Sequence, residues 1–198
     1  MRPIRYMIML CCLVAMAACA STFNRSPEDP ALKLKMASEL FSSKDDPVAA
    51  EKLLQESLEA YARNKDQRGL ADAYRQFGLF YRSNAVNKAE KYFRERGFLD
   101  KTVVFNQRYQ KAVEYFNRSK DIYASLGQIE IVSNLYVSLG KTSMMMSRPE
   151  LACEYLNKGL ENYAAYKQAN PGAKELHSEE MANYEEYIAS LKMQAGCK

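Results

Sequence analysis

The 198-residue chain reads as an all-α protein: three helical hairpins stacked in series, the middle one elongated, closed by a terminal helix. Three observations lead there. Three segments align without gaps, through Ala50, Leu54, Ser57 and Tyr61, then Ala112, Phe116, Ser119 and Tyr123, then Ala152, Leu156, Gly159 and Tyr163. Spacings of four, three and four put each set on one helical face. Upstream of each lies a partner helix with its own small residue, Ser38, Gly78 or Gly140, and the last two are flanked by large residues (Tyr74, Phe77 and Tyr81; Tyr136 and Leu139). Small residues let two antiparallel helices approach and large ones fill the seam between them. The two series also keep one register. Ser38 to Gly78 is 40 residues and Gly78 to Gly140 is 62, whereas Ala50 to Ala112 is 62 and Ala112 to Ala152 is 40. The period is therefore 40, and an extra 22 residues (62 − 40) lie between Gly78 and Ala112. No segment shows the alternation of a strand.

The elements follow in chain order. Arg2 and Arg5 precede an uncharged apolar run over residues 6–18, the n-region and h-region of a secretory signal. The run is shorter than the roughly 20 residues a permanent membrane helix needs. Met16-Ala17-Ala18-Cys19 resembles the bacterial lipobox, with Met where Leu is usual. The resemblance implies removal of residues 1–18 and lipidation of Cys19. Ala20, rather than Asp, follows Cys19, which implies export to the periplasmic face of the outer membrane. The alternative is an ordinary signal peptide cut before a chance cysteine. Residues 19–29 then form the lipidated cysteine and a polar, proline-containing tether with a reach of at most roughly 35 Å.

The hairpin domain occupies residues 30–198, with hairpins over about 30–64, 67–126 and 128–169. Asp29-Pro30 and Asp46-Pro47 are helix-starting pairs of N-cap and first-turn proline. Ser147-x-x-Glu150 reads as a capping box, and Gly127 and Asn170-Pro171-Gly172 end helices. Residues 173–194, with Leu176, Met181, Tyr184, Tyr187, Ile188 and Leu191 at helical spacing, read as a helix covering the last hairpin.

The insertion continues the apolar period through Phe77, Tyr81, Ala85, Ala89 and Phe93 to a stop at Arg96-Gly97, with Asp100 as the next N-cap. The simplest reading lengthens both helices of the second hairpin, which then project roughly 16 Å past their neighbours. The tip would carry Arg94, Arg96, Lys101, Phe93, Phe98 and Phe105, a basic and aromatic set able to grip an acidic partner or a membrane surface. In the other reading the aromatics pack on each other or on the first hairpin, and Ser83-Asn84 starts a separate short helix.

Composition excludes several classes. Removing Arg2 and Arg5 takes the formal charge from +4 to +2, so nothing points to nucleic acid. His177 is the single histidine, it lies among Ser178, Glu179 and Glu180, and no Cys/His set has metal-ligand spacing. There is no glycine-rich phosphate loop. No cofactor, metal or catalytic residue is expected, and the chain reads as a non-enzyme. With Cys19 acylated, Cys153 and Cys197 remain in the mature chain, either as a disulfide or as two free thiols.

The hairpin pattern resembles the tetratricopeptide repeat, over nearly all of the mature chain. The resemblance implies a helical-hairpin solenoid that binds protein through a concave groove lined by its first helices. Carried over by position, that groove takes Lys35 and Glu39, then Asp72, Arg75, Leu79 and Arg82, then Asn134, Val137, Lys141 and Met144. Met144-Met145-Met146 suits an adaptable surface. Lipoproteins of this architecture include pilotins of type IV pili and secretion systems, which implies an assembly factor for a pilus or secretion complex. The second reading is an adaptor that holds a peptidoglycan hydrolase or protease at the outer membrane. Either way the expected partners are proteins of the periplasm or outer membrane, with the membrane reached through the lipid on Cys19.

Overall fold

The computed structural model describes residues 28–172 and 183–198. The signal segment, Cys19, the tether as far as residue 27, Leu176, His177 and Met181 lie outside the described residues. Among the described residues the chain is all-α, with nine helices packed largely as sequential antiparallel pairs. Helix α1 (Pro30–Ser42) pairs with α2 (Pro47–Asn64). Helix α3 (Gln67–Tyr81) pairs with α6 (Arg108–Ser125), across two short helices, α4 (Asn84–Lys88) and α5 (Glu90–Arg96), and a 3-10 turn at Phe105–Gln107. Helix α7 (Ile129–Met145) pairs with α8 (Pro149–Ala169), and α9 (Tyr184–Ala195) lies against α8 and α7. No helix among the described residues is long and apolar enough to cross a membrane.

Local chemistry starts these helices where the sequence suggests. Asp29 and Asp46 accept from the backbone N–H of Ala31 and Ala49, each beside a proline in the first turn. Asp66 does the same for Gly69, and Asn183 caps α9 through the N–H groups of Glu185 and Glu186. Ser147 is different. It has a φ of +55° and follows α7, while α8 starts at Pro149 behind Arg148 with no side-chain cap, so the expected capping box does not form.

The seams are built by the aligned residues. Ala50, Leu54, Ser57, Tyr61 and their counterparts in α6 and α8 are all buried. A Cβ added at Gly78 would sit 2.5 Å from Phe116 Cε1, and one at Gly140 would sit 2.9 Å from Leu156, so both positions require close helix approach. At one level of each seam a serine hydroxyl crosses to a carbonyl. Ser57 Oγ donates to Pro30 O (2.7 Å), Ser119 Oγ to Ala71 O (2.8 Å), and Ser133 Oγ to Gly159 O (2.7 Å). Each satisfies a buried hydroxyl and fixes the sliding register of its helix pair.

The projecting second hairpin is overturned. Helix α3 ends at Tyr81, and Ser83 Oγ accepts from Val86 N to start α4, so the chain folds back rather than outward. The aromatics that a projecting tip would expose are buried instead. Phe93 stacks on Phe98 at 4.3 Å between centroids, and both meet Phe80 edge-on. Phe98 is 0 % exposed and Phe105 is buried as well. Polar contacts stitch the insertion to the first hairpin: Lys88 Nζ to Asp45 (2.6 Å) and Leu99 N to Glu51 Oε1 (2.7 Å). Burial of three phenylalanines, each worth about 1.5–3 kcal/mol, outweighs keeping one straight solvated helix.

Cys153 and Cys197 are joined by a disulfide that ties the end of α9 to the start of α8, with Cα atoms 5.6 Å apart.

Candidate functional site

Because consecutive helices alternate in direction, the C-terminal ends of α1, α3 and α7 fall at one end of the array. Pro30, the first residue of α1, falls at the other. At the first of these ends, Arg82 follows α3, Lys141, Met144 and Met145 lie near the end of α7, and Leu191 and Gln194 lie near the end of α9. Together these six line an open cleft of about 340 Å³.

Two cations meet there with no carboxylate from the described residues. Arg82 Nη1 donates to Ser138 O (3.0 Å), and its guanidinium lies over the Phe116 ring, 5.4 Å from the centroid. Burial pulls its pKa below the ordinary arginine value, opposed by the nearby Tyr187 hydroxyl. Lys141 Nζ donates to that same Tyr187 Oη (2.9 Å) and sits 5.6 Å from the ring centroid. Neither side chain forms an ion pair among the described residues. Met145 is 47 % exposed beside them, so the cleft offers positive charge next to a pliable apolar wall.

The groove residues expected from position are thus only partly brought together. Arg82, Lys141 and Met144 converge on the cleft. Arg75 is engaged elsewhere: its Nη2 contacts Asp72 Oδ1 (3.2 Å), which also accepts from Tyr123 Oη (2.6 Å). Leu79 is half-buried against the main core, and Lys35 and Glu39 are exposed on α1, away from the cleft. Val137 is not a groove residue but is buried with Tyr184, Ile188 and Leu191, because α9 covers that part of α7. Leu191 and Gln194 are cleft residues whose only signal in the sequence is membership of a covering helix, and Tyr187 of the same helix holds Lys141 from beside the cleft.

The insertion presents a different surface. Arg94 is exposed and pairs with Glu90 (2.6 Å), and its guanidinium lies 4.9 Å from the Phe105 centroid. Arg96 is exposed too, and its carbonyl accepts from Lys101 Nζ (3.3 Å). Phe98 belongs to the core, so it offers a partner nothing. Beneath this surface Glu51 is buried, and desolvation raises its carboxyl pKa to about 7. The N–H of Leu99 and the charge of Lys101 pull the other way, while Asp100 adds to the rise.

Among the described residues no cluster of His, Cys, Asp or Glu has the geometry to hold a metal ion. The chain matches no protein-family model, no curated protein and no solved structure.

Proposed function

We propose that this chain is a non-enzymatic, lipid-anchored scaffold of the bacterial envelope that binds another protein through the cleft of Arg82, Lys141 and Met144. Its three hairpins are read as tetratricopeptide-type repeats, the second carrying a folded-back insertion and the last covered by α9. The observation that carries the reading is a pair of cations with no carboxylate partner among the described residues, beside exposed methionine in an open cleft. The Cys153–Cys197 disulfide is consistent with an oxidising, extracytoplasmic location. An anchor at Cys19 would join the domain at the end opposite the cleft, so the cleft would face away from the outer membrane. Such an arrangement suits an assembly factor that receives a subunit of a pilus or secretion complex.

The test is crosslinking and pulldown of the native membrane-bound protein, beside Cys19→Ala and Lys141→Glu versions. The expected result is a specific partner that is lost with Lys141→Glu and reduced when the anchor is removed. Failure to capture any specific partner from native membranes overturns the scaffold reading. Loss of secretin multimers on deletion identifies the assembly role, whereas altered cell-wall turnover with intact multimers identifies a hydrolase adaptor instead.

A further inference from the structure

We infer that the cleft takes an acidic segment of a protein partner in which an aspartate or glutamate lies next to a large apolar side chain; this rests on the scaffold reading above. Charge bookkeeping across the surface points to that chemistry. Several other half-buried lysines have a carboxylate: Lys33 has Glu56 (2.6 Å), Lys111 has Asp100 (3.2 Å) and Glu114 (3.1 Å), Lys120 has Asp121 (2.8 Å) and Lys158 has Glu154 (2.6 Å), while Lys192, half-buried on α9 outside the cleft, forms no ion pair among the described residues. Arg108, which lacks one, is occupied by Asn87, Tyr109 and the Phe105 carbonyl, and lies over two rings. Among the described residues Arg82 and Lys141 share one cleft with no carboxylate, and each has a single oxygen acceptor and a single ring. Arg82 spends a single nitrogen on Ser138 O, and Lys141 spends one of its three protons on Tyr187.

A partly desolvated guanidinium with free N–H groups favours a planar carboxylate, which it can hold in two parallel hydrogen bonds. The neighbouring ammonium adds attraction that solvent screens less than on an open surface. Met144, Met145 and Leu191 supply the wall for an apolar side chain, and unbranched methionine can repack around leucine, methionine or phenylalanine. A peptide carrying charge without an apolar neighbour leaves that wall wet, and an apolar peptide without charge leaves the cations uncompensated. The combination therefore binds better than either alone.

The experiment is selection from a random dodecapeptide display library on the detergent-solubilised full chain, with Lys141→Glu and Gln194→Asp versions run in parallel. Gln194 is exposed at the cleft, so its replacement adds a negative charge without touching the Lys141–Tyr187 bond. Circular dichroism confirms that each version is folded. The wild type should enrich peptides with Asp or Glu within three residues of Leu, Met or Phe. Synthetic versions of those peptides should bind roughly tenfold more weakly to both variants. Absence of any enriched peptide, enrichment without acidic residues, or equal binding by Gln194→Asp overturns the inference. A partner captured from membranes alongside any of these results sinks the cleft chemistry alone, while failure of both experiments sinks the scaffold reading with it.

Discussion

Glu51→Gln isolates the electrostatic cost of docking the insertion. Glu51 lies in α2, is 4 % exposed, and accepts the N–H of Leu99 at 2.7 Å. Glutamine keeps the acceptor and the shape but removes the charge. Burial raises the folded-state pKa from the ordinary 4.5 to about 7, so folding favours the protonated carboxyl. The sign follows from proton uptake. Between those two values the native state binds more protons than the unfolded state, and stability falls as pH rises. Below the unfolded value both states are protonated and the penalty vanishes; above the folded value it is complete. The shift corresponds to about 3 kcal/mol, or roughly 8 °C in Tm for a chain of this size. Urea denaturation of wild type and variant, followed by circular dichroism at pH 5 and pH 8, reads this directly. At pH 5 the two should differ little, and at pH 8 the variant should be the more stable by up to about 3 kcal/mol. Asp100 and the other shifted groups are common to both proteins and cancel in the comparison. A stability difference that stays constant from pH 5 to pH 8 refutes the argument.

Three further changes probe the packing. Gly78→Ala forces a Cβ to within 2.5 Å of the Phe116 ring, and overpacking of this kind should cost about 1–3 kcal/mol in chemical denaturation. Tyr81→Phe removes a fully buried hydroxyl that has no hydrogen-bond partner among the described residues, so the variant should be more stable by about 1 kcal/mol. Cys197→Ser opens a covalent loop with a sequence separation of 44 and should cost about 4 kcal/mol on the chain-entropy account. Its loss should appear first as faster amide exchange in α9, measured by hydrogen-exchange mass spectrometry.

Much of the helix pairing was legible because one spacing carries it. The alternation of Ala112, Phe116, Ser119 and Tyr123 marks a buried face whatever the neighbours are, and the same four positions are buried in every hairpin. The insertion was not legible in that way. Apolar residues at fours from Phe77 to Phe93 show which side of a helix is apolar, but not whether that side continues outward or folds back on Phe80. Ser83 decided it, through a single hydrogen bond to Val86 N whose strength against helix continuation depends on the aromatic packing that follows. The cleft was half legible. Arg82, Lys141 and Met144 follow from their places in the first helices, whereas Leu191 and Gln194 depend on how α9 crosses α7, a long-range placement with no local signature.

The folded-back insertion also sets an order of folding. Four residues, 43–46, connect α1 to α2, and three, 146–148, connect α7 to α8, but 26 residues, 82–107, separate α3 from α6. Closing the longer connection costs roughly 1.5 kcal/mol more chain entropy than closing a four-residue turn. The outer hairpins can therefore nucleate locally, while the central one waits for Phe93 and Phe98 to collapse onto Phe80. Truncations at Leu54 or Leu156 should slow refolding, and truncation at Phe116 should instead accelerate unfolding, a contrast that stopped-flow φ-values read out. A middle element that closes last joins two ends already formed, so the array completes from its flanks inward rather than along its length.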